Sequence, residues 1–140
     1  MYKELITNLQ TVLEGVSAIK AVYPYPFEGI SDKSPYVVFI PDAFDNAMET
    51  NAENAKTYRF RIWIAVNLSG TTEQQVFTSI LPNAVDKVIQ AIDADWDTGT
   101  ISGHRVRKII SSGFWGLTVE KESKVGWAEL SLVVKTLTNV

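Results

Sequence analysis

The pattern of apolar and polar positions divides the chain into a short series of elements. Leu5, Ile6, Leu9, Val12, Leu13 and Val16 recur at helical spacing, with Lys3, Glu4, Asn8, Gln10 and Glu14 on the other side, which predicts an amphipathic helix. Gly15 is placed to stop it, on the expectation that the stop needs a residue at ease at positive φ. Ile19 to Tyr23 predicts a short strand, cut off by Pro24 and Pro26, which lack the N–H a ladder needs. Phe27 to Pro35 is rich in turn formers. Tyr36 to Ile40 is a strand-length apolar run, and Pro41 is expected to close it.

Asp42 to Ala55 fits neither the helical nor the strand period. It carries Asp42, Asp45, Glu49 and Glu53 and no basic residue, and is read as a long acidic loop. The clearest strand follows. Tyr58, Phe60, Ile62, Ile64, Val66 and Leu68 alternate with Thr57, Arg59, Arg61, Trp63, Ala65 and Asn67. The first set is expected to face the core, so the second lines up two arginines and a tryptophan on the outer face. Thr71 or Thr72 can cap the next helix, whose apolar stripe runs through Val76, Phe77, Ile80, Leu81, Ala84, Val85, Val88, Ile89 and Ile92. Pro82 inside that stripe is expected to kink or split it.

Asp93 to Gly103 is read as a second polar connection and Arg105 to Ile110 as a basic strand. Gly113-Phe114-Trp115-Gly116 is read as a bend presenting two aromatics. In the last stretch, Val125 to Leu137, Ala128, Leu130, Leu132 and Val134 face one way. Trp127, Glu129, Ser131, Val133 and Lys135 face the other. No repeat or low-complexity tract is visible. The order predicts one α+β domain spanning 1–140, a single mostly antiparallel sheet with two helices packed on one face.

Composition narrows the chemistry. A chain of 140 residues that is 46% hydrophobic and 21% charged belongs with ordinary globular domains and can bury a core. Without cysteine it has no disulfide scaffold, thiolate metal site or cysteine nucleophile, and its one histidine excludes the commonest zinc sites. A formal charge of −3 argues against a protein that coats nucleic acid. The N-terminus lacks the apolar core of a signal peptide, and no apolar run approaches the roughly 20 residues of a membrane span. The expectation is a protein kept in a reducing cytosol, or assembled there into something larger, with no membrane contact.

Nothing in the sequence advertises catalysis. Gly113 to Gly116 lacks the Lys-Ser/Thr and the helix start of a phosphate loop, and Ser111-Ser112-Gly113 lacks nucleophile-elbow spacing. His104 reads as a turn residue. Asp93, Asp95 and Asp97 alternate like the start of a calcium loop, but Trp96 and Thr98 interrupt it and no closing Glu follows. The expectation is a chain that is not an enzyme and has no catalytic, metal or cofactor residues.

Binding surfaces are better marked. Arg59, Arg61 and Trp63 on one exposed strand face are unusual for a small monomer, since Trp and Arg concentrate at interfaces. Burial of that face by a second helix, with arginine stems lying along it, accounts for the pattern equally well. Phe114 with Trp115, and Tyr23, Tyr25 and Phe27 around two prolines, are read with core packing modestly favoured over an interface. The acidic stretch from Asp42 to Glu53 reads in the ordinary case as a solvated loop, but it also offers a charge complementary to Arg59, Arg61, Arg105 and Arg107 of a neighbouring copy, an arrangement a head-to-tail ring would use.

Ser34-Pro35-Tyr36-Val37-Val38-Phe39, then an acidic stretch, then Lys56-Thr57-Tyr58-Arg59-Phe60-Arg61-Ile62-Trp63-Ile64 resembles the tail terminator (tail completion) proteins of tailed bacteriophages. The following helix and a close in Trp127-Ala128-Glu129-Leu130-Ser131-Leu132-Val133-Val134 extend the likeness over nearly the whole chain. The likeness lies in the order of elements and a few short phrases, and neighbouring neck proteins share much of it. Pro82 inside the second helix is unexpected for the family.

The resemblance implies a structural virion protein of the tail or neck, assembled in the host cytoplasm. It would form a homo-oligomeric ring, commonly of six, on the head-proximal end of a tail tube, stopping tube polymerisation and receiving the filled head. Its partners would be the tail tube protein and a neck or head completion protein, with DNA only passing through the lumen. No cofactor is implied. The interface residues it points to are Asp42, Asp45, Glu49, Arg59, Arg61 and Trp63. Another neck or head–tail joining protein, or a monomeric or dimeric α+β binding module, is the alternative.

Overall fold

A computed structural model describes residues 1–27, 31–48, 53–68, 72–120 and 123–139. The elements in chain order are α1 (Tyr2–Glu14), β1 (Ala21–Tyr23), β2 (Tyr36–Met48), β3 (Glu53–Asn67), α2 (Glu73–Gln75), a π-helical turn (Val76–Ile80), α3 (Leu81–Ala94), β4 (Asp97–Ile101), β5 (His104–Glu120) and β6 (Ser123–Asn139). The strands form one six-stranded sheet in the order β1-β2-β3-β6-β5-β4. Every neighbouring pair is antiparallel except β1 with β2, so the α+β architecture with a mostly antiparallel sheet is as the sequence predicts.

The core follows from the two periodicities. Leu5, Leu9 and Leu13 of α1 and Leu81, Ala84, Val85, Val88 and Ile92 of α3 are buried. They join one cluster with Phe60, Ile62 and Ile64 of β3 and with Ala128, Leu130, Leu132 and Val134 of β6. Fully burying each such aliphatic or aromatic side chain contributes about 1.5–3 kcal/mol. A second, smaller cluster gathers Tyr36, Ala65 and Val125 with Tyr23, Phe27, Val38 and Trp127. Tyr23 stacks on Phe27 at 4.1 Å, and its hydroxyl lies 2.8 Å from that of Ser31. Tyr23 and Phe27 thus pack as core, while Tyr25 stays half exposed.

Four expectations need correction. Gly15 ends α1 with a φ of −76°, so it supplies no left-handed residue; its N–H reaches back to Thr11 within a last helical turn. Pro41 does not end β2, which continues through a bulge between Pro41 and Ala43. That part of β2 lies beyond the reach of β1, at the sheet edge, where a residue without N–H is tolerated. The supposed acidic loop from Asp42 to Ala55 is largely the two arms of a hairpin, with Asp45 opposite Thr57 and Met48 opposite Asn54. The supposed polar connection after α3 contains β4. It turns into β5 through Ser102 and Gly103 at φ 51° and 82°, the left-handed pair that a two-residue hairpin loop requires.

Thr72 caps the second helical region through a reciprocal capping box with Gln75. Pro82 splits that region as expected: the N–H of Leu81 bonds back five residues to Val76, and α3 starts with the proline in its first turn.

Candidate interaction surface

The face of the sheet opposite Phe60 and Leu132 is assembled in rows across the strands. Val38, Trp63, Glu129 and Phe114 form one row, and Ile40, Arg61, Ser131 and Ser112 the next. Arg59, Val133 and Ile109 follow, and then Asp45, Thr57, Lys135, Arg107 and Asp97. Cross-strand neighbours on one face sit about 4.5–5.5 Å apart, so each row is a contact set.

The rows place the sequence-predicted residues. Arg59 and Arg61 are exposed, whereas Trp63 is half buried. Arg61 Nε lies 3.5 Å from Asp42 Oδ1 on the neighbouring strand, which joins two of the expected residues within one subunit. Both ends of that pair are close to half exposed, so in water it is worth at most about 1 kcal/mol. Asp45 stands on β2 two rows away; its side chain, and Glu49 altogether, lie outside the described residues.

Sequence reasoning missed the edge of β5. β4 pairs with β5 only as far as Arg107, and the Trp96 carbonyl then accepts the N–H of Lys108. Beyond that point β5 carries Ile109, Phe114, Trp115 and Leu117, 62%, 55%, 51% and 40% exposed. Phe114 and Trp115 are therefore surface side chains on a strand; the expected bend and the favoured core packing both fall. A bulge between Ile110 and Ser112 shifts the alternation, so Phe114 shares a face with Glu129 while Trp115 shares the opposite face with Ala128. Phe114 also meets Trp127 edge to face at 5.7 Å, and Gly116 lies flush beneath the Trp127 ring.

Next to this edge a shallow groove of about 500 Å³ is lined by Asp93, Trp96, Arg107, Lys108, Ile109, Val133 and Lys135. The Arg107 guanidinium sits 5.5 Å from the centre of the Trp96 ring, and its outer nitrogen lies 4.0 Å from Asp97. Lys108 is the exception to the apolar side of β5. Its Nζ is buried 2.5 Å from Asp95 Oδ2, at the end of α3. Burial pushes its pKa down, against the opposing pull of the Asp95 hydrogen bond and charge. Asp95 thus accepts from Lys108, while Asp97 stands as a charge neighbour of Arg107. No group of three or more His, Asp or Glu suited to a metal ion lies among the described residues. No helix among them is long and apolar enough to cross a membrane.

No family model matches the chain, and no curated protein matches it. A solved structure that matches over 95% of this chain and 92% of its own is 12% identical, with a TM-score of 0.47.

Proposed function

We propose that this chain is a non-enzymatic structural subunit that closes into a ring, of six copies as in the tail terminators its sequence resembles. In this reading the ring caps the head-proximal end of a phage tail tube, stops its polymerisation and offers the surface on which the head or neck docks. In this reading both helices cover one face of the sheet and leave the other face, with Arg59, Arg61 and Trp63, and the sheet edges to the neighbouring copies. One observation carries the reading. Among the described residues, five of the six large apolar side chains that stand exposed, Trp96, Ile109, Phe114, Trp115 and Leu117, lie on or against one strand edge. A concentration of that kind marks a surface that a partner covers.

Light scattering after size exclusion, paired with electron microscopy, tests it. The expected result is a species near six times 15.6 kDa that images as a ring with a central opening. A monomer persisting at high protein concentration counts against the proposal.

A further inference from the structure

We infer that the free edge of β5 in one copy takes the far half of β2 in a second copy as its next antiparallel strand, so that the sheet runs on from subunit to subunit. This deepens the ring reading and rests on it for closure.

Three observations lead to the pairing. First, among the described residues, the β5 edge lacks the usual protections. Proteins blunt exposed edges with charges, prolines or a covering element. From Ile109 to Val119 the sequence holds no charge and no proline, and β4 stops short of this stretch. Its exposed apolar side chains point to both faces, Ile109 and Phe114 to one and Trp115 and Leu117 to the other, as a strand would if a further strand were to lie alongside it.

Second, the same sheet ends on its other side in a comparable free edge. β1 pairs only with Tyr36 to Val38, and among the described residues the rest of β2 pairs with β3 alone. Pro41 cannot donate, so the new ladder falls beyond the bulge, on Ala43 to Met48.

Third, the strand directions agree. β2, β3, β6 and β5 are successive antiparallel neighbours, so β2 and β5 run in opposite directions. A copy in the same orientation, slid along the strands until Ala43 to Met48 stands level with the stretch from Ile109 onward, therefore brings β2 against β5 antiparallel and clear of β4. The contact joins two different surfaces, and such contacts build rings when the rotation between copies closes. A two-fold pairing of β5 with β5 would satisfy one edge and leave β2 open in both copies. The head-to-tail pairing uses both edges of every subunit.

The chain has no cysteine, which makes cross-linking clean. Within one subunit Asp45 and Ser112 stand three strand spacings apart and two rows along, more than about 14 Å, beyond a short bis-maleimide. The double variant Asp45→Cys/Ser112→Cys, whose positions face each other when Ala43 to Met48 lies against Ile109 to Phe114, should give with that reagent a covalent ladder rising to the full ring on a denaturing gel. Each single variant should stay at monomer mass. Deuterium exchange should show the amides of 109–117 becoming protected as the protein is concentrated into its assembled form. A dimer from Ser112→Cys alone would overturn the inference in favour of a two-fold contact. A ring-sized mass without the ladder would overturn it while leaving the ring reading intact. A monomer by light scattering under all conditions would overturn both.

Discussion

Lys108 is the residue at which burial and charge disagree most sharply. Its ammonium sits on the core side of β5 with Asp95 as its partner, and Asp95 keeps a third of its side chain in water. Removing the two partners should therefore have unequal effects. Asp95→Ala leaves a buried, uncompensated cation and should cost about 3 kcal/mol, whereas Lys108→Met removes the desolvation cost and should change stability by less than about 1 kcal/mol. Urea unfolding of both variants measures the asymmetry, and equal losses would contradict it. The pH dependence has a defined sign. With the folded-state pKa of Lys108 below its ordinary 10.5, the unfolded chain binds more protons in the window between the two values. Relative to Lys108→Met, the natural protein should gain stability as pH rises through that window, with no difference in slope below it.

Among the elements, those with one buried face were legible in the sequence and those without were not. α1, the long strand β3 and the α3 stripe have clean periods because one side of each enters the core. The arms of the β2–β3 hairpin beyond Pro41 read as a loop because polar and small residues stand at both parities there, leaving no alternation to detect. β5 was concealed by two features at once. A lysine occupies a core-side position, and the bulge at Ser111 changes which parity faces inward, so that one continuous strand imitates a basic strand followed by a bend. Of the candidate site, the outward array of Arg59, Arg61 and Trp63 was legible, since it follows from the period of β3 alone. The pairing of Arg61 with Asp42 depends on the bulge in β2, which no period reveals.

The π turn gives the element scale its own prediction. A Cβ at Gly126 would come within 2.7 Å of Val76 Cγ1 and 3.3 Å of the Phe77 ring, because the turn rests directly on the β6 backbone. Pro82, in the first turn of α3, lacks the N–H that would bond back into the π turn. Gly126→Ala should destabilise the fold by about 1–3 kcal/mol through overpacking. A urea midpoint within error of the natural protein would show that the turn gives way freely.

For the whole molecule the proposed ring poses the question of which force would join one copy to the next, and salt separates the possibilities. An interface built on acidic β2 against basic β5 and β3 would weaken as salt rises, since charges at an exposed rim are screened beyond about 8 Å at physiological ionic strength. The structure pairs Arg61 with Asp42, Arg107 with Asp97 and Lys108 with Asp95 inside the subunit, so a contact of these groups with another copy would compete with a partner already in place. The remaining resources at the β5 edge are backbone hydrogen bonds and the apolar surface of Ile109, Phe114, Trp115 and Leu117, neither of which salt screens. Assembly should therefore hold from low salt to about 1 M, where the screening length falls to about 3 Å. It should be lost in Trp115→Lys/Leu117→Lys, two exposed positions whose substitution leaves the buried core intact, so circular dichroism and the thermal midpoint of the subunit should stay near those of the natural protein. Arg61→Glu, which sets two acids side by side on β3 and β2, should perturb assembly far less than the edge variant. If light scattering shows instead that Arg61→Glu dissociates the ring and that Trp115→Lys/Leu117→Lys does not, the joining surface is the charged face and not the edge.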